Sequence, residues 1–160
     1  MRQLDKIDQN ILEALQQDGR ISNVNLARRV NLSPTPCLDR VRRLEKEGFI
    51  KGYHAELCPE KLKASFVTFM TVNLNRTTND VFADFAEQMA KLNEVVECHM
   101  VGGGFDYLLK IRTEDMAAFR KFMGDQLSQL PEVTQTHSYF VMEEVKDNRA
   151  LRITRPSKPS

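Results

Sequence analysis

The sequence predicts an α+β chain in two parts: an N-terminal three-helix helix-turn-helix head, and a C-terminal ferredoxin-like βαββαβ body. Three observations carry this. Apolar residues recur at helical spacing three times within the first fifty positions. After Gly48 the period changes, and the β-branched and aromatic run FVTFMTVNL opens an alternation of strand and helix patterns. Positive charge is concentrated early: between Arg20 and Lys51 there are eight basic and three acidic residues, a local net of +5 in a chain whose total is +1.

In the head, Leu4, Ile7, Ile11, Leu12 and Leu15 predict a helix from about Asp5 to Gln17, closed by Asp18-Gly19. A second, shorter helix from about Val24 to Val30 buries Leu26, Ala27 and Val30. Ser22 is its candidate N-cap, although Asn25 stands where a capping box wants Glu or Gln. A turn follows, then a third helix whose N-cap is Ser33, with its hydroxyl expected to accept from a backbone N–H one turn on. Pro34 falls at the first helical position and Pro36 within the first turn, where a missing N–H breaks no helical bond. At about 100° per residue, Cys37, Leu38, Val41 and Leu44 share one side of this helix. Thr35, Pro36, Asp39, Arg42, Arg43 and Lys46 share the other, with Arg40 on the flank. Gly48 is placed as the C′ residue.

Helix, tight turn, basic helix is the arrangement whose second helix enters a DNA major groove. An exposed basic face is ordinarily only a solvated face, but here the turn chemistry and the charge concentration agree with a phosphate-facing surface. Thr35, Pro36, Asp39 and Arg43 are expected at base edges, and Arg28, Arg29, Arg40 and Arg42 at phosphates. Asn23, Ser33 and Lys46 complete the expected interface.

Composition narrows the rest. At 160 residues and 41% hydrophobic content the chain suits one domain or two small ones. No run approaches 18 consecutive apolar residues, and no apolar targeting stretch opens the chain, so no membrane partner is expected. Cys37, Cys58 and Cys98 are odd in number, scattered and in no C-x-x-C pair. Free thiols in a reducing compartment, and a bacterial cytoplasmic location, are expected. His54, His99 and His137 are expected on strands without a nucleophile motif, and adjacent Cys98 and His99 would point to opposite faces. With no metal-ligand spacing either, neither an enzyme nor a metal site is expected. Cys37 lies near a helix start but on the core side, which suits a small buried hydrophobe.

The body begins after a short strand read from Tyr53, Ala55 and Leu57 and a turn at Cys58 to Lys61. Phe66 to Leu74 reads as a strand, Asn79 to Leu92 as a helix, Val95 to Val101 as a strand and Gly102 to Gly104 as a turn. Phe105 to Arg112 reads as the hairpin partner, Glu114 to Leu130 as a helix stopped by Pro131, and Val133 to Val145 as one long strand. The expected divisions are 1–50 for the head, 51–63 for a linker strand and turn, 64–146 for the body and 147–160 for a polar tail. Phe66, Met70 and Val72 alternate with Val67 and Phe69, so both sheet faces have apolar content, and a second copy of the chain is expected to cover the face without helices.

In this order the motifs resemble the Lrp/AsnC family of bacterial regulators. In the head the resemblance rests on Asp18-Gly19-Arg20-Ile21-Ser22-Asn23, Leu32-Ser33-Pro34-Thr35-Pro36-Cys37-Leu38, Arg40-Val41-Arg42-Arg43-Leu44-Glu45, Gly48-Phe49-Ile50 and Gly52-Tyr53. In the body it rests on Glu97-Cys98-His99, Phe105-Asp106-Tyr107-Leu108-Leu109-Lys110 and Val141-Met142-Glu143-Glu144-Val145. The ordered set spans about Leu4 to Val145. The resemblance implies a transcriptional regulator that binds double-stranded DNA and responds to an amino-acid effector, leucine or another aliphatic amino acid, with no other cofactor. It implies homodimers that assemble further, to octamers, with effector clefts between subunits near the hairpin loop. In this chain that loop is Gly102, Gly103, Gly104, Phe105, Asp106 and Tyr107. Met100, Met116, Tyr139, Phe140 and Val141 are further positions matching effector-responsive family sites. Gly104 departs from the Asp or Asn common in relatives, and the basic N-terminal arm of some relatives is not matched.

The chemistry of the loop suits such a ligand. Glycines let backbone approach closely and tolerate positive φ. Asp106 is a candidate partner for an ammonium, loop N–H groups for a carboxylate, and Met100 and Met116 for an adaptable apolar wall. Three glycines between strands are also simply a hairpin turn, and they do not form a dinucleotide fingerprint. A small-molecule binder without a DNA role would leave the basic face of the head unexplained. An architectural DNA-compacting protein would bind through phosphates with little base preference.

Overall fold

The structure, a computed structural model, describes residues 4–148 and 150–153. The chain divides into two compact units. One is the head, up to Glu56 together with the segment from Lys146, and the other is the body, Leu57–Val145. The described part of the polar tail groups with the head.

Three helices build the head: α1 (Lys6–Gln17), α2 (Asn23–Arg29) and α3 (Pro34–Lys46). A capping box starts α1, with Asp5 accepting from the Asp8 N–H and Asp8 accepting from the Asp5 N–H. Ser22 caps α2 through the Asn25 N–H without needing a glutamate there. Ser33 occupies the N-cap of α3 but makes no side-chain cap bond, contrary to expectation. The third helical residue, whose N–H such a hydroxyl commonly takes, is Pro36, which has none. Both α2 and α3 end in Schellman motifs. Asn31 (φ 57°) and Gly48 (φ 77°) adopt the left-handed conformation. Leu32 N–H then bonds Ala27 O, and Phe49 N–H bonds Leu44 O. Ile11, Ala14, Leu26, Ala27, Val30, Cys37 and Leu44 form the buried centre of the head.

The strand expected over Tyr53 to Leu57 is not formed. Residues 51–58 are irregular and exposed, and among the described residues no strand pairs with them. His54 is accordingly not on a strand. Tyr53 latches this segment to α3, its hydroxyl donating to Glu45 Oε1 at 2.9 Å.

The body holds β1 (Phe66–Leu74), α4 (Asn79–Lys91), β2 (Val95–Met100), β3 (Tyr107–Thr113), α5 (Met116–Asp125), a 3₁₀ turn (Leu127–Gln129) and β4 (Val133–Phe140). The sheet is antiparallel in the order β2-β3-β1-β4, the ferredoxin-like arrangement expected. The single helix expected from Glu114 to Leu130 is split: Asp115 caps α5 and the chain tightens into the 3₁₀ turn after Gln126. The strand expected to reach Val145 stops at Phe140. Phe140 faces Thr68 and the Val141 N–H bonds Val67 O, where β1 is close to its first residue and offers little more to pair with.

One sheet face carries Met70, Val72, Leu74, Tyr107, Leu109 and Ile111 against Phe85, Met89, Phe119, Phe122 and Leu127. The other face mixes apolar residues, Val67, Phe69 and Tyr139, with charged ones. Opposed residues in the register share a face, which sets Glu97 beside Lys110 and His137 beside Thr71, with Tyr139 beside Phe69. Lys110, 8% exposed, lies 3.9 Å from Glu97 and 3.4 Å from Glu144, with its ammonium over the Phe69 ring. Cys98 pairs with Leu109 and His99 with Leu108, on opposite faces as the alternation requires.

Candidate nucleic-acid interface and ligand site

The head sorts its predicted DNA-facing residues into two groups. Thr35, Pro36, Asp39, Arg42 and Lys46 stand exposed on α3, with Ser33 before it and Arg28 and Arg29 exposed on α2. The Arg29 guanidinium also donates to Gln17 Oε1 on α1.

Three further residues are engaged within the head. Asn23 donates from its amide to Pro34 O at 2.8 Å, tying the start of α2 to the start of α3 across the turn. Arg40 reaches Asp5 at 2.6 Å and Asp8 at 2.7 Å, and Arg43 reaches Asp8 at 2.5 Å. The helical wheel put Arg43 on the outer face. Its long side chain instead turns along the helix to the carboxylate of α1, which is 3% exposed. Such a carboxylate needs a charged partner, and two guanidinia supply it. Burial pushes the Asp5 carboxyl up, but the Asp8 N–H and the Arg40 guanidinium together hold it below the usual carboxylate value. The same two carboxylates raise the pKa of Arg40 through hydrogen bonds. Cys37 is fully buried, and burial raises its thiol pKa against the opposing influence of Arg40, which makes it an unreactive packing residue.

In the body, the loop between β2 and β3 is pinned from both sides. Val101 N–H bonds Asp106 O, Asp106 N–H bonds Val72 O, and Asp106 Oδ2 accepts from the Leu74 N–H at 2.8 Å. The carboxylate offered to a ligand's ammonium is thus already the acceptor for a strand end. Tyr107 is core rather than lining. It is 3% exposed, its ring lies 4.6 Å from that of Phe85, and its hydroxyl donates to Phe82 O. Burial raises its pKa, with smaller contributions from Cys98 and Asp106. Phe105 is half-buried. Gly102, Gly103 and Gly104 are exposed, with φ outside the left-handed region and open space where a Cβ would stand. Neither positive φ nor crowding within the chain explains these glycines.

Met100 closes β2 opposite Tyr107 and lies at the loop end of the sheet. Tyr139, Phe140 and Val141 lie at the other end, beside Phe69, Thr68 and Val67. Met116 opens α5 just after Thr113, which faces Phe66 at that same end. From Thr68 to Val72 the strand rises about 14 Å. Within one chain Met100 therefore lies with the loop, while Met116 and Tyr139 to Val141 lie at the opposite end of the sheet, and the two sets are not brought together.

A helix-turn-helix head with an exposed polar and basic recognition face, joined to a ferredoxin-like body, defines a DNA-binding regulator with a separate sensing domain. Comparison with known proteins agrees. Residues 4–51 match the winged helix-turn-helix DNA-binding model, and residues 67–151 match the Lrp/AsnC ligand binding domain. The leucine-responsive regulatory proteins of Klebsiella pneumoniae and Escherichia coli K12 are each 57% identical over 152 residues, 95% of this chain and 93% of theirs. A transcriptional regulator from Neisseria meningitidis, solved as a complex with L-Met, is 40% identical with a TM-score of 0.89, covering 94% of this chain and 97% of that one. An AsnC family regulator from Agrobacterium tumefaciens is 31% identical with a TM-score of 0.89, covering 93% and 97%. The chain belongs to the Lrp/AsnC family of transcriptional regulators.

Sequence reasoning missed Asp5 and Asp8 as partners of the recognition helix, and Asn31 as the pivot of its turn. Asn31 had a signal: among non-glycine residues Asn is the common occupant of a left-handed C′ position. The carboxylates had a weaker one, the spacing of three between Asp5 and Asp8 at a helix start.

Proposed function

We propose that this regulator reads DNA with the exposed face of α3 and answers to an aliphatic amino acid, leucine first, bound at its glycine loop. The exposed set of Thr35, Pro36, Asp39, Arg42 and Lys46 carries the reading. Thr35, Pro36 and Asp39 meet base edges, while Arg42, Lys46, Arg28 and Arg29 meet phosphates. Ser33 sits at the entry of the helix, where its hydroxyl makes no cap bond and suits a phosphate. Asn23, Arg40 and Arg43 act by holding α2 and α3 in place. The regulator works by binding, in the bacterial cytoplasm.

On the effector side, Met100 and the loop from Gly102 to Phe105 form one half-site, and Met116 with Tyr139 to Val141 forms the other. Asp106 and Tyr107 position the loop from behind. Because the two halves lie at opposite ends of one sheet, a complete site takes residues from two copies. This supports a homodimer, and we extend the proposal to an octamer of such dimers. The names of the leucine-responsive relatives and the L-Met complex of the Neisseria protein support an amino-acid ligand of this kind.

A thermal-shift screen of the twenty amino acids tests the reading. A ligand specific for the folded state at a hundred times its Kd stabilises by about 2.7 kcal/mol. Leucine, or a similar aliphatic amino acid, should give the largest rise and shift the sedimentation profile. A flat response to all twenty would end the effector assignment.

A further inference from the structure

The recognition helix carries the basic residues Arg40, Arg42, Arg43 and Lys46, and carboxylates at the start of α1 meet two of them. Arg40 and Arg43 with Asp5 and Asp8 make a cluster of two cations and two anions. The two carboxylates differ in what they need. Asp8 is nearly enclosed and cannot stay charged without a partner, and Arg43 at 2.5 Å supplies one. The Asp5 side chain is 50% exposed, so water alone can solvate its charge. Its second task is to cap α1 by accepting from the Asp8 N–H at 2.8 Å. That task needs an oxygen but no charge, because Asn and Ser cap helices as well as Asp does. Neither solvation nor capping therefore calls for the bond that Asp5 makes to Arg40 at 2.6 Å.

Arg40 is placed where that bond matters. It stands one helical turn after the exposed Pro36, on the flank of α3 that borders the exposed face. A helix with its side chains is about 10–12 Å across, and the major groove is about 12 Å wide. A helix seated in that groove has both flanks against the phosphate walls. Both contacts of Arg40 use Nη1, at 2.6 Å to Asp5 and 2.7 Å to Asp8. Among the described residues its Nε and Nη2 have no partner. These two nitrogens form the edge of the guanidinium that takes an oxyanion in a bidentate way. The group keeps 27% exposure.

We propose that Asp5 is an internal competitor of DNA: its carboxylate neutralises Arg40 in the place of a backbone phosphate and so limits the affinity of the head for any duplex. Asp8 alone suffices to keep Arg40 as an anchor of α3. Asp5 is then a residue that sets affinity, acting through Arg40. The inference rests on the reading of the head as a DNA-binding unit. Phosphate contacts carry no sequence preference, so the restraint acts equally on specific and random DNA.

The test is fluorescence anisotropy of the full chain across a salt series. The probes are a duplex selected by the wild-type chain from a random-sequence pool and a shuffled duplex of the same length. Asp5→Asn keeps a cap oxygen and the contact between Arg40 and Asp8, and removes one negative charge. It should steepen the salt slope by about 0.9 and tighten both duplexes by the same factor, roughly 3- to 10-fold near about 0.1 M salt. Asp5→Ser, which also caps, should do the same. A head that loses its fold binds less, so a gain is not a folding effect. With Arg40→Gln already in place, Asp5→Asn should gain nothing. An unchanged slope in both Asp5 variants overturns the inference. Weaker binding in both also overturns it, making Asp5 a support that aims Arg40 at the backbone. An equal gain with and without Arg40 overturns it too, leaving Asp5 a bare repelling charge. A wild-type chain that binds neither duplex at any salt is a different result and removes the DNA reading itself, and this inference with it.

Discussion

The Arg43 guanidinium lies 2.5 Å from the Asp8 carboxylate, and Arg40 lies 2.7 Å from the same group. One buried carboxylate of α1 thus holds the recognition helix at two points one helical turn apart. Removing it in Asp8→Ala leaves two cations without their shared anion. Each guanidinium side chain keeps 27% exposure, so water recovers part of the loss. We expect about 1–3 kcal/mol of local destabilisation. Amide hydrogen exchange reads this locally, which matters in a chain of two units where one global transition is not guaranteed. Protection along α3 should fall by about 5- to 150-fold, and unaltered protection would remove the anchoring role.

The exposed face of α3 makes a contrasting prediction. Arg42→Ala should weaken specific and random duplex alike and reduce the salt slope by about one, leaving hydrogen exchange in the head unchanged. Asp39→Ala should broaden base preference across a site library, with stability within about 0.5 kcal/mol of wild type. Arg43→Ala should do the reverse of Arg42→Ala, lowering protection of α3 while leaving base preference intact. If Arg43→Ala relaxes the preference at one base pair instead, its pairing with Asp8 yields to DNA on binding.

What the sequence made legible was whatever local periodicity and cap chemistry decide. The helix pair, the turn, Gly48 and the run from Phe66 to Leu74 all follow from spacing within a few residues. Long side chains and strand ends escaped, because non-local partners decide them. A helical wheel fixes the Cα–Cβ direction of Arg43 but not the reach of its side chain, and Asp8 lies thirty-five positions earlier in the chain. Tyr107 sits in a motif that invites a ligand role, yet the alternation of β3 and the ring of Phe85 turn it into the core. Asp106 reads in the sequence as a candidate ligand partner, whereas its role as acceptor for the Leu74 N–H is a contact that only the pairing of β1 with β3 creates. Val141 to Val145 read as strand, and nothing local reveals that β1 is nearly exhausted there.

Two substitutions at Asp106 separate positioning from ligand contact. Asp106→Asn keeps an oxygen for the Leu74 N–H, and Asp106→Ala removes it. If the residue holds the loop, the asparagine variant should retain most of the amino-acid response. The alanine variant should lose it at a stability cost of about 1 kcal/mol. Equal loss in both would mean that the negative charge itself meets the ligand. Isothermal titration with leucine, beside thermal unfolding, distinguishes these results.

Gly103→Ala asks whether the loop faces a ligand or a second copy. A Cβ there meets nothing within 4 Å and the backbone φ is one that alanine accepts. Folding should therefore be unaffected to within about 0.5 kcal/mol. A several-fold loss of effector affinity, or a change in sedimentation, should nevertheless follow if another molecule approaches the loop backbone closely. An alanine variant identical to wild type in both would place the effector elsewhere.

The last prediction concerns pH. Burial first, then the hydrogen bond to Glu45 and its charge, push the Tyr53 hydroxyl from an ordinary 10 to about 12. A group whose folded pKa is raised stabilises the fold fully below its unfolded pKa and loses that contribution as pH rises through the folded one. The latch between the irregular segment and α3 should therefore hold up to about pH 10 and release towards pH 12. Tyr53 is 47% exposed, so solvent screening reduces the contribution to about 1 kcal/mol. Tyr53→Phe removes both the hydrogen bond and the titrating proton. It should lower stability slightly near neutrality and flatten the alkaline limb of the head's thermal stability between those two pH values. Subtracting its tyrosinate absorbance titration from that of the wild type isolates Tyr53 from Tyr107, whose own pKa is raised by burial. A difference curve centred near the ordinary tyrosine value would show that Glu45 does not hold the hydroxyl in solution.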